Sequence, residues 1–345
     1  MSSRRAWLWG GLVVVAVGVI LYRQSVYRKE TKPTSTNVMF ITGGSGPFWQ
    51  LAINGAKSAA KEYNAQLKVV VPAQEEGVAD QTRLLQNVNE AEVDGLAISP
   101  LDAESQTHPI NELVRHINVV TFDADAPLSE RQYYIGTSNF LAGKLIGELI
   151  AEALPKGGSI VVLYANMTKN NMIERAEGLQ NYLEGHSDAK IKVVGSLTDQ
   201  ANADVCKSNI RKAISDHSDL SGIVGMNAHH GPIILEVLAK DSLLGKIKVA
   251  AFDEDERTLK GVADGHIQGT IVQDPYMYGY ESVRKLVELH GSRPELVPIS
   301  KGVVNTQCRI IRKDDVEDFR KKLNSRLNKD ASEASTKGEA DNKTK

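Results

Sequence analysis

Short apolar runs alternate with longer stretches of helical periodicity, and this alternation constrains the fold more than any other feature of the sequence. The runs have the length of strands and are rich in Val, Ile, Leu and Phe, as strands buried on both faces are. The predicted strands are residues 38–42, 67–71, 94–99, 118–122, 133–137, 158–164, 191–196, 222–226, 247–252, 269–272 and 308–311. Helical periodicity predicts helices at residues 48–63, 79–91, 103–116, 170–183, 204–215, 231–240 and 256–264. Helices that cover a parallel sheet in this way make the fold class α/β.

The alternation restarts near residue 158, after three strand–helix units and the two strands 118–122 and 133–137. Two doubly wound lobes explain this restart, and a single eight-fold barrel is the alternative. The short strand 133–137 and the two late strands 269–272 and 308–311 break the count that a barrel requires. We therefore expect two lobes, each with its own sheet.

Polar residues follow the strands at the edge where doubly wound sheets bind their ligands. The strand-end residues are Thr42, Ser99, Asp123, Tyr164, Asn227, Asp253 and Gln273. Carboxylates and amides dominate this set, and lysine is absent from it. Such groups suit a ligand with many hydroxyl groups better than a phosphate.

The charge balance and the cysteines exclude several classes of protein. The 345 residues carry 41 Lys and Arg against 43 Asp and Glu, which argues against a nucleic-acid partner because such proteins need a basic face. Cys206 and Cys308 fit two free, buried thiols, with one long-range disulfide as the alternative. The adjacent His229 and His230 lack a third metal ligand at suitable spacing, so we expect no metal site and no cofactor.

The two ends of the chain differ from the body. Residues 1–32 carry six basic residues against one acidic residue, and the run from Ala6 to Tyr22 is uncharged. This predicts an uncleaved transmembrane signal anchor over residues 1–36 with its linker, and a cleaved signal peptide is the alternative. At the other end we expect a helix over residues 313–328 and a disordered tail over 329–345, which has no large apolar residue.

Several segments together resemble the ribose-type periplasmic sugar-binding proteins. The segments are residues 40–49, 54–56, 119–123, 134–139, 174–178, 249–253 and 269–279. They occur in the order of that family, near its spacing, and span most of the chain between residues 37 and 311. The resemblance implies a type I periplasmic-binding-protein-like fold, with two lobes joined by three hinge strands and a ligand held in the cleft.

The resemblance also implies domain boundaries. The first lobe would comprise residues 37–137 with 274–301, and the second 138–273 with 302–312. The chain would cross between lobes near 137–139, 273–274 and 301–303.

Carried over position by position, the resemblance implies a set of ligand contacts. They are Thr42, Ser45, Phe48, Trp49, Ser99, Asp123, Asn166, Arg175, Asn227, Asp253 and Gln273. Four of these residues have a simpler alternative role. Trp49 could be a core residue, and Arg175 could pair with Glu174 on a helix surface. Asp123 and Asp253 could serve only to cap the helices that follow them. Ala124 stands where pentose-binding members carry an arginine, which leaves a larger or differently substituted sugar or polyol as an equal alternative to ribose.

We therefore expect a non-enzymatic protein that binds a sugar or polyol outside the cytoplasm by hinge closure and delivers it to an ABC-type permease. Its location would be periplasmic or extracytoplasmic, with the N-terminal helix in the inner membrane. A ligand sensor of the same fold, signalling to a membrane receptor or kinase, is the alternative. No catalytic residues are predicted, and an enzyme of doubly wound type is the remaining alternative.

Overall fold

The computed structural model describes residues 35–73, 77–291 and 302–326. The described residues from Asn37 onward form one compact unit. The predicted signal anchor and the predicted tail lie outside the described residues, except for Ser35 and Thr36. Within the described ranges, no helix combines the length and the apolarity that crossing a bilayer requires.

Strands and helices alternate along the described residues. The strands are β1 Asn37–Ile41, β2 Gln66–Val70, β3 Gly95–Ile98, β4 Asn118–Phe122, β5 Tyr133–Thr137, β6 Gly158–Tyr164, β7 Ile191–Thr198, β8 Leu220–Gly225, β9 Lys248–Phe252, β10 Thr270–Val272, β11 Gly302–Thr306 and β12 Arg309–Ile311. The helices are α1 Pro47–Glu62, α2 Val78–Gln86, α3 Thr107–Val114, α4 Asn139–Ala153, α5 Asn170–Gly185, α6 Ala203–Asp216, α7 His230–Lys240, α8 Glu256–Ala263, α9 Pro275–Gly291 and α10, residues 316–326.

The strands form two separate six-stranded sheets, so the chain has two lobes and the barrel alternative is wrong. The first sheet is parallel throughout, in the order β11-β5-β4-β3-β1-β2. The second has the order β12-β10-β9-β8-β6-β7, with β12 antiparallel at its edge. The α/β class with two parallel-sheet lobes is therefore confirmed.

Each sheet is covered on both faces by helices, which is why its strands read as continuous apolar runs. In the first lobe one core lies under α1 and α9, and a second lies under α2 and α3. In the second lobe one core lies under α4 and α5, and the other under α6, α7 and α8. Because the helices cover only the faces of the sheets, the carboxyl ends of the strands, where the chain crosses between the sheets, stay available for ligand binding.

The chain crosses between the lobes three times. It leaves the first sheet after Thr137, returns after Val272 through α9, and crosses again between Thr306 and Arg309. The third crossing predicted near residues 301–303, and the assignment of 302–306 to the second lobe, are wrong. Gly302–Thr306 pairs in parallel with β5 and so belongs to the first sheet.

Two long helices follow the first two crossings and were not predicted. Helix α4 begins after Ser138, whose side chain accepts a hydrogen bond from the Leu141 backbone N–H. Helix α9 begins at Pro275, which suits the first helical position because its missing N–H would have no helical partner there. The two cysteines carry no disulfide; Cys206 is buried and Cys308 is partly buried.

Candidate functional site

A cavity of about 720 Å³ lies where the carboxyl ends of the strands in the two lobes face each other. Seven of the predicted site residues contribute to its wall. They are Phe48, Trp49, Asp123, Arg175, Asn227, Asp253 and Gln273. The structure thus brings together residues from both lobes and from the second crossing, and their contact with a ligand stays a prediction.

Asp123 and Asp253 occupy equivalent places at the ends of β4 and β9. Both have left-handed backbones, with φ of 60° and 65°, a conformation that Asp and Asn adopt more readily than most residues. The Asp123 N–H donates to the Ile135 carbonyl, and the Asp253 N–H to the Ile271 carbonyl. The turned backbone directs each chain out of its sheet and leaves the carboxyl group at the cavity wall.

Arg175, on α5, is the most enclosed charged group of the site, with a side chain only 1% exposed. Its Nε donates to Asn139 Oδ1 at 3.0 Å, its Nη1 to the Met226 carbonyl at 2.8 Å, and its Nη2 to Gln273 Oε1 at 3.0 Å. The guanidinium also lies 4.3 Å from the centroid of the Phe252 ring. These bonds use three of its five N–H groups and hold it within the site, so the surface ion pair with Glu174 is not its role.

Close packing of two helices sets the position of α5. A Cβ atom at Gly143 of α4 would lie 2.2 Å from the Arg175 carbonyl oxygen, and one at Gly178 would lie 2.0 Å from the Phe140 carbonyl oxygen. Because neither helix carries a side chain at these points, their backbones touch. The backbone of Arg175 is therefore placed by direct contact with α4.

Gln273 connects the second lobe to the crossing. Its Nε2 donates to Asp253 Oδ1 at 2.8 Å, and its Oε1 accepts from Arg175 and from the Tyr278 hydroxyl at 2.9 Å. The Tyr278 hydroxyl is also 2.7 Å from Thr137 Oγ1, at the first crossing. One chain of hydrogen bonds therefore joins the cavity to two of the three crossings.

The environment of Asp253 changes its acidity. Burial raises the pKa of this carboxyl above its ordinary value, although the Arg175 guanidinium and the bond from Gln273 oppose the shift. The pKa of the neighbouring Glu254 is raised further, by burial and then by the charges of Asp253 and Asp274. The second-lobe end of the cavity is thus rich in carboxyl oxygens with a guanidinium among them, an arrangement that can bind several hydroxyl groups.

The first lobe supplies an aromatic wall. Phe48 and Trp49 meet edge to face, with ring centroids 5.2 Å apart. Trp49 is only 6% exposed and packs in the core beside Phe122, so it is both a core residue and part of the cavity wall. A Cβ atom at Gly43 would lie 2.7 Å from Trp49 Cζ2, so the glycine there makes room for the indole.

The other four predicted residues do not line the cavity. The Thr42 hydroxyl donates to the Gly44 carbonyl, and Ser45 is exposed. Ser99 lies behind Asp123 and donates to its Oδ2 at 3.0 Å. Asn166 Oδ1 accepts from the backbone and the hydroxyl of Thr168, which keeps it within its own loop.

Sequence reasoning did not assign Lys169 and Asn171 to the site, although both line the cavity: Lys169 is the N-cap residue of α5 and Asn171 lies in its first turn. Both are buried, and Lys169 Nζ lies 5.9 Å from the Trp49 ring centroid in the other lobe. Next to them, Thr168 Oγ1 donates to the Leu101 carbonyl across the cleft at 3.1 Å. Leu323 and Asn324 of α10 complete the wall. No sequence signal marked these residues, because their positions depend on how the lobes meet.

A polar cluster at the cavity wall includes the histidine pair named above, of which His229 lines the cavity and His230 is buried behind it. Asp199 Oδ1 and Oδ2 lie 3.1 Å and 2.9 Å from the Nε2 atoms of His229 and His230. Burial would raise the pKa of Asp199, but the hydrogen bonds with both histidines outweigh it and hold the pKa well below its usual range. Burial, and then the neighbouring His229, lower the pKa of His230 to about 4, so this imidazole is neutral.

Cys206 completes this cluster, since its Sγ lies within 4.8 Å of the Asp199 and His230 ligand atoms. The His230 Nδ1 accepts from the Asn227 backbone N–H at 3.1 Å, so its proton is on Nε2, facing Asp199. Burial also raises the pKa of the Cys206 thiol. Neither group then offers a free lone pair or a thiolate, and the cluster fits a hydrogen-bonded support for the Asn227 loop better than a metal site.

A family model described as a periplasmic binding protein domain matches residues 38–292. The ribose import binding protein of Escherichia coli is 26% identical over 254 residues, which cover 72% of this chain and 82% of that protein. A xylose/arabinose-binding protein of Sulfolobus acidocaldarius is 24% identical over 202 residues, 54% of this chain and 49% of that protein. The chain therefore aligns with about half the length of this second relative.

Among solved structures, the chain resembles an ABC transporter solute binding protein from Burkholderia graminis in complex with D-arabinose. The two are 29% identical with a TM-score of 0.76, and the match covers 83% of this chain and 98% of the other.

Proposed function

This chain belongs to the family of periplasmic binding protein domains, and from that membership we propose that it binds a sugar or sugar-like molecule outside the cytoplasm. We propose further that it delivers this ligand to an ABC-type permease. One observation carries the proposal most directly: Asp123, Arg175, Asp253 and Gln273 converge on a single cavity between the lobes. The relatives named above support it, since their names give ribose, xylose and arabinose as ligands.

The chemistry of the wall suits a sugar. Carboxylates accept hydrogen bonds from hydroxyl groups, while Arg175 and Asn227 offer donors to hydroxyl oxygens. The Asn227 Oδ1 already accepts from the Ala165 N–H at 2.9 Å, so its donor group is the part left for a ligand. Phe48 and Trp49 provide an apolar surface for the C–H face of a ring. The relatives named above are called binding proteins, and we propose that this chain likewise acts by binding.

Hinge closure is the proposed mechanism. The first moving unit comprises residues 37–137 with α9 and β11, and the second comprises 138–273 with β12 and α10. A ligand that bonds Asp123 on one side and Arg175 and Asp253 on the other favours the closed arrangement, because only that arrangement makes both sets of bonds. The permease would then recognise the closed form.

The binding proposal is tested by titrating the full chain with D-ribose, D-arabinose, D-xylose, D-allose, D-glucose and D-galactose. A ligand at 100 times its Kd should add about 2.7 kcal/mol to the free energy of unfolding, which raises the melting temperature measurably. Asp123→Asn and Asp253→Asn keep a residue that tolerates positive φ, and both should abolish the shift. The exposed Asp216→Asn, on α6, is the control. If none of the six sugars, nor any polyol, stabilises the wild type, the proposal is wrong.

We also propose that residues 1–36 anchor the protein to the inner membrane. The support is the uncharged run from Ala6 to Tyr22 between two basic clusters. Membrane fractionation under alkaline carbonate tests this: the full chain should stay with the membrane, and a chain beginning at residue 35 should be released. Release of the full chain would overturn the proposed anchor without affecting the proposed ligand.

A further inference from the structure

Asn171 is a buried polar residue at the cavity wall with one unused acceptor. It lies in the first turn of α5 and is only 2% exposed. Its Nδ2 is 3.5 Å from Asp123 Oδ2 in the other lobe, at the outer limit of a hydrogen bond. Its Oδ1 is buried and has no hydrogen-bond partner among the residues that the structure describes. A buried acceptor in this state is unfavourable unless something donates to it.

The neighbouring carboxylate sets the orientation of this amide. If the group were turned over, Oδ1 would face Asp123 Oδ2, and two acceptors would then repel each other. Nδ2 therefore faces the first lobe, and Oδ1 is the atom that needs a donor. The adjacent Asn170 differs, because its Nδ2 donates to Glu174 Oε1 at 2.7 Å within α5 and it does not line the cavity.

We propose that Asn171 determines specificity by accepting a hydrogen bond from one ligand hydroxyl group, while its Nδ2 keeps hold of Asp123. This inference rests on the proposed sugar binding. It requires that the ligand atom beside Asn171 Oδ1 is a hydrogen-bond donor. A carbonyl, carboxylate or phosphate oxygen there would face the acceptors of both Asn171 and Asp123. The favoured class is therefore a neutral sugar or polyol with a free hydroxyl at this point.

The pair of contacts also links recognition to closure. Asp123 belongs to the first lobe and Asn171 to the second, so the amide bridges the cleft only when the lobes are together. A hydroxyl bound to Asn171 Oδ1 thereby contacts the bridge itself. The correct ligand fills the unused acceptor in the closed form, whereas an analogue lacking that hydroxyl leaves it unfilled.

The test is isothermal titration calorimetry of the full chain with whichever of the six sugars named above binds most tightly, and with each monodeoxy analogue of that sugar. Asn171→Leu replaces the amide by an apolar group of similar size, and Asn171→Ala provides a second variant. Asn170→Leu is the matched control one position away. Thermal unfolding confirms that each variant folds.

The proposal expects one particular deoxy analogue to bind the wild type about ten- to a hundredfold more weakly than the parent sugar. Asn171→Leu should weaken the parent sugar by a clearly larger factor than that analogue: both lose the bridge to Asp123, but the bond from the missing hydroxyl cannot be lost twice. Asn170→Leu should behave as wild type.

Two results would overturn the inference while leaving sugar binding intact. One is unchanged affinity in both Asn171 variants. The other is an equal loss for the parent sugar and every analogue, because that pattern marks a residue that acts on closure alone. If the wild type binds none of the six sugars, the proposed sugar binding fails first, and this inference fails with it.

Discussion

The two lobes present equivalent strand ends to the cleft but prepare them differently. In the second lobe Asp253 already accepts from Gln273 and lies near Arg175, within one lobe and its crossing. In the first lobe Asp123 is supported from behind by Ser99, and Asn171 reaches it only across the cleft. The second lobe is therefore the half with a built polar network, while the first adds an aromatic wall and one carboxylate. We therefore expect the ligand to bind the second lobe first and the first lobe to close over it.

The largest effect should come from the centre of the second-lobe network. Arg175→Leu leaves Asn139 Oδ1, the Met226 carbonyl and Gln273 Oε1 without their donor, and it removes the charge that favours ionised Asp253. We expect a loss of about 3–5 kcal/mol in the free energy of unfolding and no measurable sugar binding. Urea unfolding and calorimetry measure both. Arg83→Leu, on the exposed face of α2, should change neither, and a comparable loss there would show that the effect is not specific to the network.

Acid should weaken the second lobe before the first. The His230 pKa is about 4 in the folded chain, against an ordinary value near 6.5, so the unfolded chain binds a proton that the folded chain does not. The contribution of neutral His230 to the free energy of unfolding is therefore complete above pH 6.5. It is lost as the pH drops towards 4, by about 3 kcal/mol in total.

His230→Gln can keep both hydrogen bonds without titrating, so it should flatten this slope. Among the described residues, His230 is the one fully buried histidine. Hydrogen exchange at pH 4.5 should therefore show faster exchange in β6–β9 than in β1–β5, and equal rates in both lobes would contradict the assignment.

Glycine contacts between helices offer a matched pair of smaller perturbations. In the second lobe a Cβ atom at Gly143 would meet the Arg175 carbonyl, and in the first lobe one at Gly55 would lie 1.8 Å from the Tyr276 carbonyl oxygen. Gly143→Ala and Gly55→Ala should each cost about 2 kcal/mol of stability by overpacking. Only Gly143→Ala should also weaken sugar binding, about tenfold, because it displaces Arg175. An equal loss of affinity in Gly55→Ala would mean that both lobes carry preformed recognition.

The smallest effects are expected from removing a single hydroxyl donor, either to the Asp123 carboxylate or to the Asp253 backbone carbonyl. Ser99→Ala removes the donor to Asp123 Oδ2, and Thr270→Val removes the donor to the Asp253 carbonyl at 2.8 Å. Each should cost about 1 kcal/mol of stability. Ser99→Ala should also weaken sugar binding severalfold, because the Asp123 carboxylate loses its orientation, whereas Thr270→Val should leave affinity unchanged. Titration calorimetry on the two variants checks this, and equal affinities would show that Asp123 does not depend on the Ser99 hydroxyl for ligand binding.

The strand-end rule explains how much of the site the sequence predicts. Asp123 and Asp253 follow buried parallel strands, and the topology brings such ends together whatever the details of packing. The same rule fails at Thr42, whose hydroxyl turns back to Gly44, because a short side chain can bond its own loop. Ser99 obeys the rule but supports Asp123 from behind.

Residues whose position depends on the other lobe were beyond sequence reasoning. Asn171 and Lys169 face the cavity only because the lobes approach, and no periodicity encodes that distance. The sheet to which β11 belongs was equally hard to predict, because a short segment near a crossing could join either sheet. Its pairing with β5 places it in the first sheet, and that pairing is a tertiary contact. By contrast, the start of α4 after Ser138 and of α9 at Pro275 were local signals that the sequence carried and that our interpretation did not use.

The left-handed backbones of Asp123 and Asp253 limit how this cleft can be retuned. An engineer who wants a protein that reports a different sugar has few choices at these two positions, because Asn and Gly are the other residues that adopt positive φ readily. A β-branched or bulky residue there would strain the chain where it leaves the sheet. Ligand preference is therefore easier to change at the residues around the two carboxyl groups, because the backbone restricts substitution at Asp123 and Asp253 themselves.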